Sequence, residues 1–203
     1  MRITAIEPRR KGLSAVYIDG EFAMKLDTQT LFENRADVGK EISDEELKKL
    51  IELSNERRAK EKALWLISYR SHSKKELKEK IRRTCDADAA EKAVERMDEL
   101  GLVNDEQFAA AYARKLLLEK KMTRRTAAFE LSRKGIDRET ADRVLEEIEV
   151  DYRDNIRAVI EKKYRNIQDE KIRRRAVAAL QRLGYGWEDI KSVLEEFNEK
   201  EVL

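Results

Sequence analysis

Three pairs of cations stand at one register in this chain. Shifting residues back by 50 brings Leu131 onto Ile81 and Val144 onto Val94. Shifting forward by 49 brings Leu131 onto Leu180, Gly135 onto Gly184, Val144 onto Val193 and Leu145 onto Leu194. Seven and six residues before Ile81, Leu131 and Leu180 stand Lys74-Lys75, Arg124-Arg125 and Arg173-Arg174, and Arg175 follows the last pair. Each pair is expected at the start of its repeat's second helix. A cationic pair there opposes the helix macrodipole by ~0.3–1 kcal/mol. An anionic partner would offset that cost and would also meet the free N–H groups of the first turn. Stacked repeats would align the pairs as a ladder of positive charge along one edge. The plainer readings are a solvated helix face, or pairs inherited from a duplicated ancestor without a role.

The third repeat is the most basic. Residues 154–182 hold nine bases (Arg157, Lys162, Lys163, Arg165, Lys171, Arg173, Arg174, Arg175 and Arg182) against four acids, a net +5. Phosphates or an acidic protein surface would suit such a window. Other chemistry is thinly supported. Trp65, Tyr69, Tyr112 and Trp187 could stack on bases, but their helical spacing favours core packing. His72 has no second His or paired Cys for a metal site, and Cys85 has no His but His72 to activate it. No glycine-rich phosphate cradle occurs, and no carboxylate pair stands out as acid and base. No catalytic residue, cofactor or metal is expected.

The elements that must position these residues are helices. In residues 108–148, Phe108, Tyr112 and Leu116 recur on one helix face. Ala127, Ala128 and Leu131 mark a second helix; Ala141, Val144, Leu145 and Ile148 mark a third. Gly135 suits the position that closes the second helix, and Asp137 suits the cap of the third. Three such patterns at one period read as tandem three-helix repeats. Each repeat is small, so neighbours are expected to stack to bury their apolar faces.

The only strand signals lie in the first 27 residues. Ile3 and Ala5 alternate before Pro8, and residues 14–18 and 22–26 flank Asp19-Gly20, a strong hairpin signal. Ser43 with Glu46 forms a capping-box pattern, and Ser73 with Glu76 forms another. Residues 54–62 are almost wholly polar and read as an exposed joint. Tyr185 and Trp187 are expected to be buried as an end cap, and the tail from Asn198 is expected to fray. The fold class is mainly α: tandem three-helix repeats, elongated and curved, with a small N-terminal antiparallel β element. The expected division is 1–55 for the β-hairpin and helix domain, then 56–103, 104–150 and 151–203 for the three repeats.

Charged residues make up 42% of the chain and apolar residues 41%. The apolar positions keep helical periodicity, which argues against disorder. Lys plus Arg number 44 and Asp plus Glu 42, so the net charge of +2 excludes nothing and only local distribution informs. One Cys cannot close an intrachain disulfide, so a reducing compartment fits. No apolar run reaches the roughly 18 residues of a membrane span, and the N-terminus lacks a signal-peptide core. A cytoplasmic monomer is expected.

Residues 63–197 resemble the RecX family of bacterial regulators of the RecA recombinase. The matching pieces are Arg70-Ser71 with Glu76-Leu77; Gly101-Leu102-Val103-Asn104-Asp105-Glu106-Gln107-Phe108-Ala109; Glu130-Leu131-Ser132-Arg133-Lys134-Gly135-Ile136; and Leu183-Gly184-Tyr185 with Ile190 downstream. Two departures stand out. The glycine often found ahead of the second repeat's second helix is replaced near Lys121-Met122, and an arginine often seen before the last Gly-aromatic pair is Leu183 here. The resemblance implies a non-enzymatic protein of DNA repair, recombination and the SOS response. It implies lodging in the groove of the RecA–DNA filament, blocking recombination and damping ATP hydrolysis and co-protease activity. It also admits contact with single- or double-stranded DNA. The alternative is a stand-alone helical DNA-binding protein.

Overall fold

The computed structural model describes residues 1–199, with side chains to Phe197. Three strands open the chain: β1 (Ile3–Pro8), β2 (Leu13–Ile18) and β3 (Glu21–Asp27), antiparallel in the order β1-β2-β3. The β2–β3 hairpin closes on Asp19 (φ 51°) and Gly20 (φ 89°), with Ile18 opposite Glu21. Both turn residues take positive φ, as a two-residue hairpin requires. One face of the sheet packs Ile3, Val16 and Leu26 against Leu31, Ala36, Ile42 and Leu50.

Helix α1 (Thr28–Glu33) is capped by the buried Asp27 carboxylate. Helix α2 (Asp44–Tyr69) starts at Ser43 in a reciprocal capping box with Glu46, as the pattern predicts. Residues 54–62 are not the exposed joint expected of them. They lie in the middle of α2, with Ser54 and Ala59 buried. Their polar side chains are spent on both sides of the helix. Ser54 Oγ accepts the Asp27 N–H at 2.8 Å, and Arg57 reaches Glu33 at 3.1 Å. Glu56 takes Lys92 at 2.5 Å, and Arg58 donates to the Thr84 carbonyl at 3.2 Å. The N-terminal part of α2 thus covers the sheet through Leu47, Leu50 and Ile51, while Ala59, Ala63 and Leu66 serve the first repeat.

The first repeat is completed by α3 (Lys74–Ile81) and α4 (Ala87–Glu99). The second consists of α5 (Asp105–Arg114), a π-helical turn continuing it (Lys115–Glu119), α6 (Arg124–Arg133) and α7 (Arg138–Glu146). The third is α8 (Tyr152–Lys163), α9 (Glu170–Arg182) and α10 (Trp187–Glu199). Asp137 caps α7 and Gly135 (φ 86°) follows α6, as read from the sequence. Of the tail expected to fray, Asn198 and Glu199 continue α10; residues 200–203 lie outside the described residues.

The chain falls into two compact units, Met1–Asn104 and Asp105–Leu203. The first carries the sheet and the first repeat; the second carries the other two repeats. The aligned apolar positions Ile81, Leu131, Leu180, Val94, Val144 and Val193 are all buried. Each three-helix repeat nevertheless encloses its own cluster of buried residues. This corrects the expectation that a repeat needs a stacked neighbour to bury its stripe. Three short helices wrapped around one another already close a small core.

Within the second unit, repeats two and three are joined by specific contacts. The Thr123 N–H donates to the Leu183 carbonyl at 2.9 Å, and the Tyr185 hydroxyl donates to the Lys121 carbonyl at 2.7 Å. The Arg124 N–H donates to the Tyr152 hydroxyl at 3.1 Å, and the Tyr152 and Tyr185 rings meet edge to face. Gly184 (φ 101°) turns the chain where any Cβ would overlap the hydroxyl oxygens of Thr123 and Thr126. Glycine is required there twice over, by backbone angle and by space.

Candidate functional site

The cation pairs do not all occupy the helix position expected of them. Lys74 and Arg124 are the first residues of α3 and α6, behind the N-caps Ser73 and Thr123. Arg173 and Arg174 lie a turn inside α9, which begins at Glu170 behind the Asp169 cap. The third repeat's second helix is 13 residues long against 8 and 10 in the others, so its N-terminus moves away from the aligned pair.

The two members of a pair also differ in what they touch. Lys74 reaches Asp98 near the end of α4 at 2.6 Å. Arg124 occupies the same register and donates to the carbonyls of Leu145 (3.1 Å) and Ile148 (2.7 Å), just where α7 ends. Its guanidinium is carried off its own helix's positive pole onto the negative pole of the next. The offset sought from an outside anion is therefore supplied, for the first member of these two pairs, by the repeat itself. Lys75 and Arg125 are exposed and form no ion pair among the described residues. Arg173 is half-buried, Arg174 pairs with Glu170 with both groups exposed, and Arg175 is exposed.

Part of the third repeat's charge is consumed in the same way. Arg153 and Arg157 both reach Glu196, at 2.6 and 2.7 Å. The hydrogen bond from Arg157, joined by that from Arg153, holds the Glu196 carboxyl below its ordinary range. Four of the remaining cations, Lys162, Lys163, Arg165 and Arg175, line grooves at the end of α8. One groove of about 410 Å³ is lined by Glu119, Lys120, Lys121, Lys162 and Lys163 over Met122, Ala158, Val159 and Leu183. A second, of about 420 Å³, is lined by Lys162, Lys163, Arg165 and Arg175 with Tyr164, Asn166 and Ile172. Lys162 and Lys163 belong to both. In the sequence Lys120 stands out in no way and Lys121 only as part of a departure from the family pattern; the signal for a site is their adjacency, and only the fold brings them to α8.

The aromatic residues reverse one expectation. Trp65, Tyr69 and Trp187 are 57%, 82% and 50% exposed, not packed in a core. Trp65 and Tyr69 lie beside each other on α2, with Lys62 over the indole at 4.2 Å. Tyr112 packs on the second core, stacked on Phe108. Tyr185 is buried and Trp187 is not, because the turn at Gly184 aims only the former at repeat two. Ala59, Ala63 and Leu66 take the inward face of α2, and Trp65 lies off that face.

His72 is buried, its Nδ1 on the Arg70 carbonyl (2.8 Å) and its Nε2 facing the Lys80 ammonium (2.9 Å). Burial, opposed by the Arg70 carbonyl, pushes its pKa below the usual histidine value. This is an internal joint between α3 and the loop before it. Among the described residues, no three His, Cys, Asp or Glu side chains are placed to hold a metal ion. No described helix is long and apolar enough to cross a membrane.

The fold therefore defines a tandem three-helix repeat protein that presents cations on helix surfaces and in grooves. Family profiles described as the first, second and third three-helix domains of RecX match residues 59–97, 104–145 and 150–194. A protein named regulatory protein RecX from Caldanaerobacter subterraneus subsp. tengcongensis is 34% identical, over 83% of this chain and 88% of its own length. Another of that name, from Clostridium tetani, is 29% identical over 96% and 94%. The crystal structure of a regulatory protein RecX superposes with a TM-score of 0.60 at 18% identity, covering 96% of this chain and 98% of that one. RecX from Lactobacillus salivarius gives 0.54 at 20% identity, over 71% and 97%. The chain belongs to the RecX family of regulatory proteins.

Proposed function

We propose that this chain is a non-enzymatic regulator that binds the RecA–DNA filament and inhibits its recombinase, ATPase and co-protease activities. One observation carries the reading beyond family membership. At the same register of repeats one and two, Lys74 and Arg124 are held inside their own repeats while Lys75 and Arg125 face solvent. The surface cations of successive repeats are thus separated from those that hold the repeats together. With Arg174 of the third repeat, they offer several weak contacts on one chain to a partner that repeats along an axis. Each contact is small on its own in water. Tethering them makes the later ones intramolecular, so the whole gains from effective concentration. A protein bridging neighbouring recombinase subunits in this way would restrain the motion that ATP turnover requires.

The test is co-sedimentation of the full chain with recombinase filaments at two salt concentrations, alongside filament ATPase rates. The Lys75→Glu, Arg125→Glu, Arg174→Glu triple variant is expected to bind more weakly and to lose inhibition. Unchanged binding and inhibition would remove these residues from the interface. A direct contact with DNA is the second reading, and the grooves at the end of α8 are the observation that favours it.

A further inference from the structure

We infer that the groove between the loop ahead of α6 and the last turns of α8 docks a protein segment that is acidic and carries apolar side chains. Such a segment would bind without DNA and without recombinase, apart from both readings above.

The groove is apolar below and cationic above. Met122, Ala158, Val159 and Leu183 form its floor; Lys120, Lys121, Lys162 and Lys163 form its rim, against one acid, Glu119. Met122, Ala158 and Leu183 are half-buried, so a ligand's side chains can reach the floor. Ala158, Val159, Lys162 and Lys163 follow one another at helical spacing, which places floor and rim on one face of α8. The four lysines form no ion pair among the described residues, although cations are paired freely elsewhere in the chain. Lys162 and Lys163 stand in the last turn of α8 and reverse the negative pole that would turn carboxylates away. Lys120 and Lys121 come from another element, so the α8 dipole does not account for their place on the rim. Gathered like charges repel one another unless an anion lies between them.

The floor decides the class of anion. A small ion would use the rim and leave most of the groove's 410 Å³ empty. A duplex keeps its bases stacked inside and would leave the floor wet. A single strand stacks its bases on aromatic faces, and the residues lining this groove include no aromatic ring. Phosphate is gripped best by the planar arginine fork, and the rim of this groove is lysine throughout. Carboxylates pair with lysines as point charges. Leucine or phenylalanine side chains gain by leaving water for an aliphatic floor, and a methionine in that floor adapts to different shapes. An amphipathic helix supplies both, with apolar residues at i, i+3 and i+4 turned down and carboxylates beside them. The neighbouring groove shares Lys162 and Lys163 and adds Arg165 and Arg175 beside Ile172. The same mixture of cation and apolar surface therefore runs on for a longer segment.

The experiment is fluorescence anisotropy of a labelled synthetic peptide with the full chain across a salt series. The peptide is built of glutamates with leucines at i, i+3, i+4 and i+7. It is expected to bind, and its leucine-to-serine counterpart to bind at least about tenfold more weakly at every salt concentration. Lys162→Gln/Lys163→Gln is expected to weaken binding about fivefold at low salt, with the difference shrinking as salt rises. Ala158→Glu puts a carboxylate into the floor at a helical position and is expected to weaken binding at least about tenfold. Arg133→Gln/Arg138→Gln, on α6 and α7, lines neither groove and should bind as wild type. Failure of the leucine peptide to bind would overturn the site. Equal binding of the serine peptide would do so too, since charge alone would then suffice. Ala158→Glu binding at full strength, with an unchanged circular dichroism spectrum, would place the peptide elsewhere. Displacement by oligo(dT) at matched charge, more effective than by unlabelled peptide, would reassign the groove to nucleic acid.

Discussion

The Tyr185 hydroxyl donates to the Lys121 carbonyl at 2.7 Å, tying the turn before α10 to the loop that leads into α6. Beside it, Gly184 lies against Thr123 and Thr126. Removing the donor by Tyr185→Phe should lower the stability of the second unit by about 1 kcal/mol. Gly184→Ala adds backbone strain to overlap and should cost about 2–4 kcal/mol. Thermal unfolding of the two variants checks the order; a Gly184→Ala chain as stable as wild type would mean the turn is not seated on the threonines.

Burial pushes the Tyr185 hydroxyl up to about 12 from an ordinary 10.0. The folded state therefore favours the neutral phenol more than the unfolded chain does. The stability this contributes is fully present below pH 10.0 and is lost as pH rises through about 12. Chemical denaturation from pH 9 to 12 should show that decline, and Tyr185→Phe should flatten it.

His72 has the opposite consequence at the acid end. Its pKa is depressed from 6.5, chiefly by burial; the Arg70 carbonyl and Glu76 oppose the shift, and the charges of Arg70 and Lys80 add to it. The unfolded chain takes up the proton first. Stability is thus full above 6.5 and falls as pH drops through the depressed value. The first unit should lose stability between pH 7 and 5, and His72→Gln should be less pH-dependent over that range.

Arg124 and Arg125 are neighbours with different fates. Arg124→Ala uncovers the carbonyls at the end of α7 and should destabilise the second unit by about 1–3 kcal/mol. Arg125→Ala should change stability by no more than about 0.5 kcal/mol. Equal effects in a denaturant titration would contradict the division between held and outward cations.

Ser54 tests the role of the middle of α2. Ser54→Ala leaves the buried Asp27 N–H without an acceptor and should cost about 1–3 kcal/mol. Hydrogen exchange at Asp27 should accelerate. Neither would occur if this stretch were a solvated linker.

Much of the fold was legible because its signals are local. The Asp19-Gly20 hairpin needs two residues tolerant of positive φ, and the Ser43 and Asp137 caps need only a side-chain oxygen near the next N–H groups. The errors share a cause. The polar run at 54–62 looked like a joint because polarity is counted along the chain. Ser54 and Arg57 are polar because Asp27 and Glu33, far away in sequence, lie against them. Trp65 and Tyr69 keep helical spacing like any core residue. Their exposure follows from Ala59 and Ala63 taking the inward face of α2.

By itself the sequence determined that three helical repeats exist, where some of the helices are capped, that the aligned apolar positions are buried and which family the chain resembles. Those depend on spacing and on contacts within a few residues, which periodicity records. Only the tertiary structure decided which cation of each pair is spent, because Arg124 and Arg125 differ in nothing but the direction they leave the helix. It alone brought Lys120 and Lys121 beside Lys162 and Lys163. Long-range electrostatics depends on distance through space, and a sequence contains no record of that until the helices have packed.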